Sequence, residues 1–212
     1  VAGNGQTELM AALSGEIMQT GSHDNITFDH VCVSEMGVAE RRAMGAGFVP
    51  EERYGHAAIK EMSLKDNALL TTSQKINLVK KGFLQSNAIC DLTQKIISDF
   101  DVRTTGVEME TGNLSGGNLQ KFILGREIIQ NPRILIVSQP TWGVDAGAAV
   151  FLRKSLLDLA ARGCAVLIIS QDLDEIFEIC DRIAVLYQGT LSPLITTESA
   201  SVQQIGLLMG GK

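Results

Sequence analysis

The 212-residue sequence predicts an α/β fold, a parallel sheet covered by helices, with a helical segment inserted into it. Three observations carry this expectation. From Asn131 to Tyr187 short apolar runs alternate with helical patterns, the arrangement of parallel strands joined by crossover helices. Between Met62 and about Ile129 the texture is helical, with hardly any β-branched runs. Two glycine-rich stretches each lead directly into an apolar helical stripe, where bare backbone N–H groups and a helix N-terminus favour an anion.

In chain order, Gly3-Asn4-Gly5-Gln6-Thr7-Glu8 precedes Leu9, Met10, Leu13 and Ile17, which recur with a helical period. A short apolar stretch, Val31-Cys32-Val33, is followed by a polar segment through Arg41 and Arg42. Phe48 and Val49 read as the end of a strand that Pro50 breaks, and Glu51-Glu52-Arg53 reads as a solvated charge cluster. Ile89, Leu92, Ile96, Ile97 and Phe100 mark one face of a helix. Ile134 to Val137 is expected to be a buried parallel strand, then a loop through Asp145, then a helix carrying Val150, Leu156, Leu157 and Ala160. Ala165 to Ile169 is a second expected buried strand. A helix around Ile176 and Phe177, a third strand over Ile183 to Tyr187 and a turn at Gln188-Gly189-Thr190 complete the alternation.

Composition narrows the function. The formal charge is −6, from 24 acidic and 18 basic residues, and no basic run exceeds a pair, which argues against a nucleic-acid partner. The four cysteines, Cys32, Cys90, Cys164 and Cys180, match no metal-ligand spacing and are expected to be buried thiols in a reducing compartment. His23, His30 and His56 stand alone and read as surface residues rather than metal ligands. No apolar run has the length of a membrane span, so a cytoplasmic protein is expected, with any membrane role exercised through a partner.

The stretch Leu114-Ser115-Gly116-Gly117-Asn118-Leu119-Gln120-Lys121 has the composition of a phosphate-seeking loop. Its glycines admit close approach, Ser115 adds a hydroxyl, and Leu119, Phe122, Ile123 and Ile128 continue as a helical stripe. An ordinary turn before an amphipathic helix has the same pattern. Gly3 to Thr7 is similar to the end of a P-loop, with Gln6 where a lysine would meet phosphates and Thr7 where a hydroxyl would hold magnesium. A glycine-rich helix entry serving only as structure remains open there too. The chain is thus expected to start within the loop, as a fragment of a longer protein would.

The order of these motifs resembles the nucleotide-binding domain of ABC transporters. The similarity is greatest to the second, C-terminal half of the duplicated ATP-binding subunit of simple-sugar and nucleoside importers, through Val49-Pro50-Glu51-Glu52-Arg53, Asn118 after Ser-Gly-Gly, and Gly143-Val144-Asp145-Ala146-Gly147. The resemblance implies a P-loop NTPase (RecA-like) core over 1–50 and 130–212, lacking its first strands, and a helical subdomain over 51–129 that carries the signature loop. It implies ATP and Mg²⁺ as cofactors. The nucleotide-binding positions would be Gly3, Asn4, Gly5, Gln6, Thr7 and Glu8, with Thr7 a weak metal ligand. Leu114, Ser115, Gly116, Gly117, Asn118 and Asp145 would serve a site in trans.

Five places depart from the family pattern. Gln6 replaces the lysine, Ser138 and Gln139 replace the aspartate and glutamate of the acidic pair, and Gln171 replaces the switch histidine; Pro50-Glu51 stands in place of the glutamine loop. An amide at Gln139 cannot accept a proton as a carboxylate does, which should cost about 10²-fold or more. Loss of a phosphate-stabilising charge at Gln6 should cost a similar factor, roughly 10²-fold, and such factors need not multiply. The resemblance therefore implies a domain that lends Ser115 and Gly117 to ATP held by a second nucleotide-binding domain, with membrane permease subunits and, indirectly, an external solute-binding protein as partners. A non-hydrolytic structural or regulatory nucleotide-binding module is the alternative. A soluble ABC-type ATPase is disfavoured by the acidic balance and by the lack of a long coiled-coil insertion. Asp145 has a simpler possible role as a helix cap, and Trp142 is expected to pack at its loop.

Overall fold

The computed structural model describes residues 3–19, 26–72 and 78–211, so His23 lies outside the described residues. The chain divides into two compact units, Val1–Arg41 with Ile168–Lys212, and Arg42–Leu167. The boundaries pass through one helix and one strand.

In the first unit, α1 (Gln6–Ser14) starts at Gly5 and ends where Gly15 turns left-handed at φ 87°. Met10 is buried, whereas Ile17 falls beyond the helix and is 52% exposed. The apolar stretch at Val31 is one arm of a hairpin, β1 (Thr27–Phe28) with β2 (Val31–Cys32), whose tight turn holds Asp29 and His30 at positive φ. The polar segment after it begins α2 (Val38–Ala43). Arg41 of α2 is fully buried, donating to the carbonyls of Leu13, Ser34 and Met36, so a guanidinium ties α1 to this segment.

The second unit is built on β3 (Ala46–Val49), fully buried, paired in parallel with β6 (Ile134–Ser138) in the register Phe48↔Ile136. The order is β3-β6-β7, with β7 over Ala165–Ile169. The expected strands at 134–137 and 165–169 are therefore present. The second differs in burial: β7 is the edge strand, Ala165 and Leu167 are exposed, and only Ile169 is buried. Between β3 and β6 come α3 (Leu64–Thr72), the hairpin β4 (Val79–Lys80) and β5 (Phe83–Leu84), α4 (Ser86–Asp99), a 3-10 turn (Thr111–Asn113) and α5 (Gly116–Ile128). The hairpin departs from the expected helical texture, and Lys81-Gly82 at positive φ explains it.

The α4 face is centred on Ile89, Thr93, Ile96 and Phe100, with Leu92 and Ile97 at its margins. It packs against α5 at Gly125, where a Cβ would stand 2.6 Å from Phe100 Cδ2, so only glycine permits this approach. Phe100 in turn meets Phe151 edge to face at 6.1 Å. Phe151 lies on α6 (Ala146–Ala161), whose buried face is Ala148, Leu152, Leu156 and Leu159. Val150 and Leu157 instead face outward.

Beyond β7, in the first unit, α7 (Leu173–Ile179) matches the expected helix. The single strand expected over Ile183 to Tyr187 is corrected. It is two short strands, β8 (Arg182–Ile183) and β9 (Leu186–Tyr187), antiparallel to β11 (Ile195–Thr196) and β10 (Thr190–Leu191) respectively. The turn at Gln188-Gly189, at positive φ, sends the chain straight back, so a hairpin replaces a third parallel strand. Ile183 and Val185 pack with Ile205 of α8 (Val202–Met209). The cysteine expectation is also corrected: none is in a disulfide, but only Cys164 is buried and Cys32 is exposed. No helix among the described residues is long and apolar enough to cross a membrane.

A buried ionic network joins α5 to α2 and α3, and its Arg42 stands over the Phe48 ring of β3 at 5.3 Å. Glu127 of α5 meets Arg42 Nη1 at 2.7 Å and Arg126 Nε at 3.2 Å. Arg126 also donates to the carbonyls of Asn67 on α3 and Ala57. Burial opposes ionisation of Glu127, but the charges of Arg42 and Arg126, with hydrogen bonds from Arg42 and Thr71, outweigh it and hold the carboxyl below its usual range. Glu127→Gln would leave two guanidiniums around a neutral amide, a loss expected to lower stability by about 3–5 kcal/mol in urea unfolding. A carboxyl whose folded pKa is depressed stabilises above its unfolded value, about 4.3, and that contribution disappears as pH falls through the folded value. Wild type should thus lose stability below about pH 4.3 more steeply than Glu127→Gln; parallel acid limbs would contradict this.

Candidate functional site

The signature stretch forms the start of α5. Ser115 is its N-cap, in extended conformation, and its Oγ accepts from Asn118 N at 3.4 Å and from Asn118 Nδ2 at 2.9 Å. Asn118 Oδ1 accepts from Arg103 N at 3.0 Å, which fixes the amide and hence the serine. Because Ser115 Oγ acts as acceptor in both bonds, its hydroxyl proton remains available to an incoming acceptor. Ser115 and Gly116 are exposed, while Leu114 is buried beneath them and anchors the loop.

The two glycines have separate reasons. A Cβ on Gly116 would stand 3.0 Å from Arg53 Nη1, and one on Gly117 would stand 3.3 Å from Asp145 Oδ2 and 3.4 Å from Ala148 Cβ. Thus α5 begins wedged between Arg53 and the turn before α6. Asp145 is the N-cap of α6: its Oδ1 accepts from Ala148 N at 2.9 Å, and this bond, ahead of further backbone donors, holds its carboxyl below the usual range. The capping role that the sequence offered is therefore what the local geometry contains. Lys121 turns away from the loop, to Asp101 Oδ2 at 2.9 Å and over the Phe151 ring at 5.0 Å.

Trp142 does not pack. Its side chain is 68% exposed, because the turn is held through its backbone: Trp142 N donates to Gln139 O at 3.2 Å, and Gly143 is left-handed at φ 63°. Gln139 is buried at positive φ, and Ser138 before it is buried at the end of β6. The charge cluster also divides: Glu51 and Glu52 are exposed, whereas Arg53 donates from Nε to Gln120 Oε1 at 2.8 Å and from Nη2 to the Trp142 carbonyl. Sequence reading missed Arg53, since its two acceptors lie 67 and 89 residues away.

In the other unit, Gly3 and Gly5 take left-handed conformations, φ 81° and 107°, and deliver the chain into α1. Asn4 is pinned to the β9–β10 turn: its carbonyl accepts from Gly189 N at 2.9 Å and its Oδ1 from Gln188 N at 3.1 Å. Gln6 folds back so that Oε1 accepts from Asn4 N at 3.0 Å. An N–H of the loop is thereby engaged by the Gln6 side chain. Thr7 and Glu8 are exposed on the first turn of α1. Gln171 is exposed beyond β7, beside Ser170, whose Oγ donates to the buried Glu175 at 2.8 Å. Among the described residues no group of three His, Cys, Asp or Glu side chains is placed to hold a metal.

The sequence profile of the ABC transporter family matches residues 1–142. The chain belongs to this family. The nucleoside import ATP-binding protein NupA of Lactococcus lactis is 38% identical over 211 residues, covering 100% of this chain and 41% of that protein. The guanosine import ATP-binding protein NupO of Bacillus subtilis is 36% identical with the same coverage, and the ribose import ATP-binding protein RbsA of Streptococcus agalactiae is 31% identical over 99% of this chain and 42% of its own length. The chain thus spans about two fifths of the length of these curated relatives. Among solved structures, a dimeric ATP-binding cassette, MJ0796, in a post-hydrolysis state with ADP and Pi superposes with a TM-score of 0.77 at 17% identity, over 93% of this chain and 82% of that one. The ADP form of the cassette MJ1267 gives 0.70 at 20% identity over 99% and 81%. These likenesses establish the ABC ATPase cassette fold, a P-loop NTPase of the α/β class, as the motif order implied.

A lysine in place of Gln6 removes the acceptor that engages Asn4 N–H and adds a charge for phosphate. Gln6→Lys is expected to tighten ATP binding by this chain by roughly tenfold or more in calorimetric titration; unchanged affinity would show that the internal bond does not limit the loop.

Proposed function

We propose that this chain is the second, C-terminal nucleotide-binding domain of an ABC import ATP-binding subunit, taking up a nucleoside or sugar, and that it completes an ATP site on a partner domain rather than turning over at its own. The contrast between the two glycine loops carries this reading. At α5 Ser115 and Gly116 are exposed, and the Ser115 Oγ is held by Asn118, as a donor to a nucleotide phosphate needs to be. At α1 the Gln6 side chain closes on the loop.

On this reading Ser115, Gly116, Gly117 and Asn118 reach the γ-phosphate of ATP held by the partner, with Leu114 as anchor and Asp145 ordering the adjoining turn. Gly3 to Glu8 form a weakened phosphate loop, and Gln139 and Gln171 stand for the degenerate base and switch positions that the resemblance implies. ATP brings Mg²⁺ with it, and Thr7 offers one hydroxyl; at Ser138 there is no carboxylate to add, so the metal would rest chiefly on the nucleotide. The partition follows the family: an NTPase core over 1–50 and 130–212 and a helical subdomain over 51–129. The partner domain would lie in the same full-length subunit, at the cytoplasmic face of the membrane, engaging permease subunits and, through them, a solute-binding protein. The names of NupA, NupO and RbsA support an import role.

The test is ATP hydrolysis by the full-length subunit. Ser115→Arg fills the exposed loop and is expected to lower turnover by about 10²-fold or more, the scale of losing a transition-state donor. Gln139→Glu is expected to change it less than about threefold, since the base of the productive site lies on the partner. Normal turnover by Ser115→Arg would favour a structural nucleotide-binding module instead.

A further inference from the structure

Arg53 lies outside the signature loop and the turn before α6, yet it bridges them. Its Nε donates to Gln120 Oε1 at 2.8 Å, its Nη2 donates to the Trp142 carbonyl, and its Nη1 lies 3.0 Å from the place a Gly116 Cβ would take. Gln120 is 2% exposed and stands four residues after Gly116, on the same face of α5. Its amide therefore offers Arg53 an oriented acceptor. The Trp142 carbonyl belongs to the turn that leads through left-handed Gly143 to Asp145. A planar guanidinium can satisfy both acceptors at once, whereas an ammonium, a point donor on a flexible stem, has no such fork.

We propose that Arg53 is a positioning residue that locks the Trp142–Asp145 turn to the Ser115–Gly117 loop, so that both meet the nucleotide of the partner domain as one rigid surface. This inference rests on the reading that Ser115 completes a site in trans. A charge cluster merely solvated would not place its arginine between a buried amide and a backbone carbonyl. Close packing of Gly117 on Asp145 and Ala148 already brings the two segments together, but that contact is non-directional, and the Arg53 fork adds hydrogen bonds of fixed direction to both. A displacement of either by about 1 Å would degrade the alignment of donor and phosphate.

The experiment compares Arg53→Met, Arg53→Lys and Ser115→Arg in the full-length subunit assembled with its permease. ATP hydrolysis is expressed per folded subunit, with amide hydrogen exchange read over residues 115–118 and 142–145. Arg53→Met is expected to lower kcat by roughly tenfold or more while the KM for ATP stays within about threefold, because the nucleotide is held by the partner. Arg53→Lys should fall between it and wild type. Exchange should rise in both segments together and remain unchanged in β3. Wild-type kcat in Arg53→Met overturns the inference, as does a loss that vanishes on correction for folded protein, or faster exchange in one segment only. If Ser115→Arg is silent while Arg53→Met is active, this inference alone falls. If Ser115→Arg turns over normally, the in-trans reading falls and this inference with it.

Discussion

The second unit depends on one buried carboxylate. Glu127 sits near the end of α5 with Arg42 and Arg126 on its two oxygens, and Arg126 continues to backbone carbonyls of Asn67 and Ala57. Apolar packing alone would let α5 slide or rotate against its neighbours, because Leu, Ile and Phe side chains interchange positions at modest cost. Charged hydrogen bonds have direction and fixed length, so they set the register of the helix against α2 and α3. The other end of the same helix is the Ser115 loop. A network at the far end of α5 (Gly116–Ile128) thus helps to fix where that loop stands.

Two glycine loops with similar composition meet opposite fates, and the difference is local. Ser115 is a short side chain that accepts from the residue three positions ahead, which orients its own proton outward. Gln6 is long enough to reach back, and its amide oxygen finds the Asn4 N–H. The same physics that makes an N–H attractive to a phosphate makes it attractive to a nearby carbonyl. A lysine has no acceptor and could not close the loop in this way.

Much of the architecture was legible in the sequence. The continuous apolar run at Ile134 to Val137 could only be a buried strand, and the stripe from Ile89 to Phe100 had to face a neighbour, though Thr93 lies within that face because its hydroxyl is satisfied by Ile89 O. The Ser115 loop was found by its composition, and Asp145 by its capping chemistry. What was not legible required three-dimensional partners. Ile183 to Tyr187 has the composition of one strand, but its pairing is decided by the turn at Gln188 and by two later short strands. Leu167 belongs to an apolar run yet stands on an edge. Trp142 has a core residue's composition, but the hydrogen bonds of its own backbone fix the ring outside. Arg53 is drawn from its acidic neighbours by acceptors that only the fold brings near.

Trp142 has one more consequence. It is the sole tryptophan of the chain, and its indole is 68% exposed on a turn whose backbone is fixed. The chain therefore carries a single tryptophan fluorophore, exposed to water beside the Ser115 loop. Its emission starts at the solvent-relaxed, long-wavelength end, and any surface that comes to cover that loop must also dehydrate the ring and draw the spectrum toward the blue.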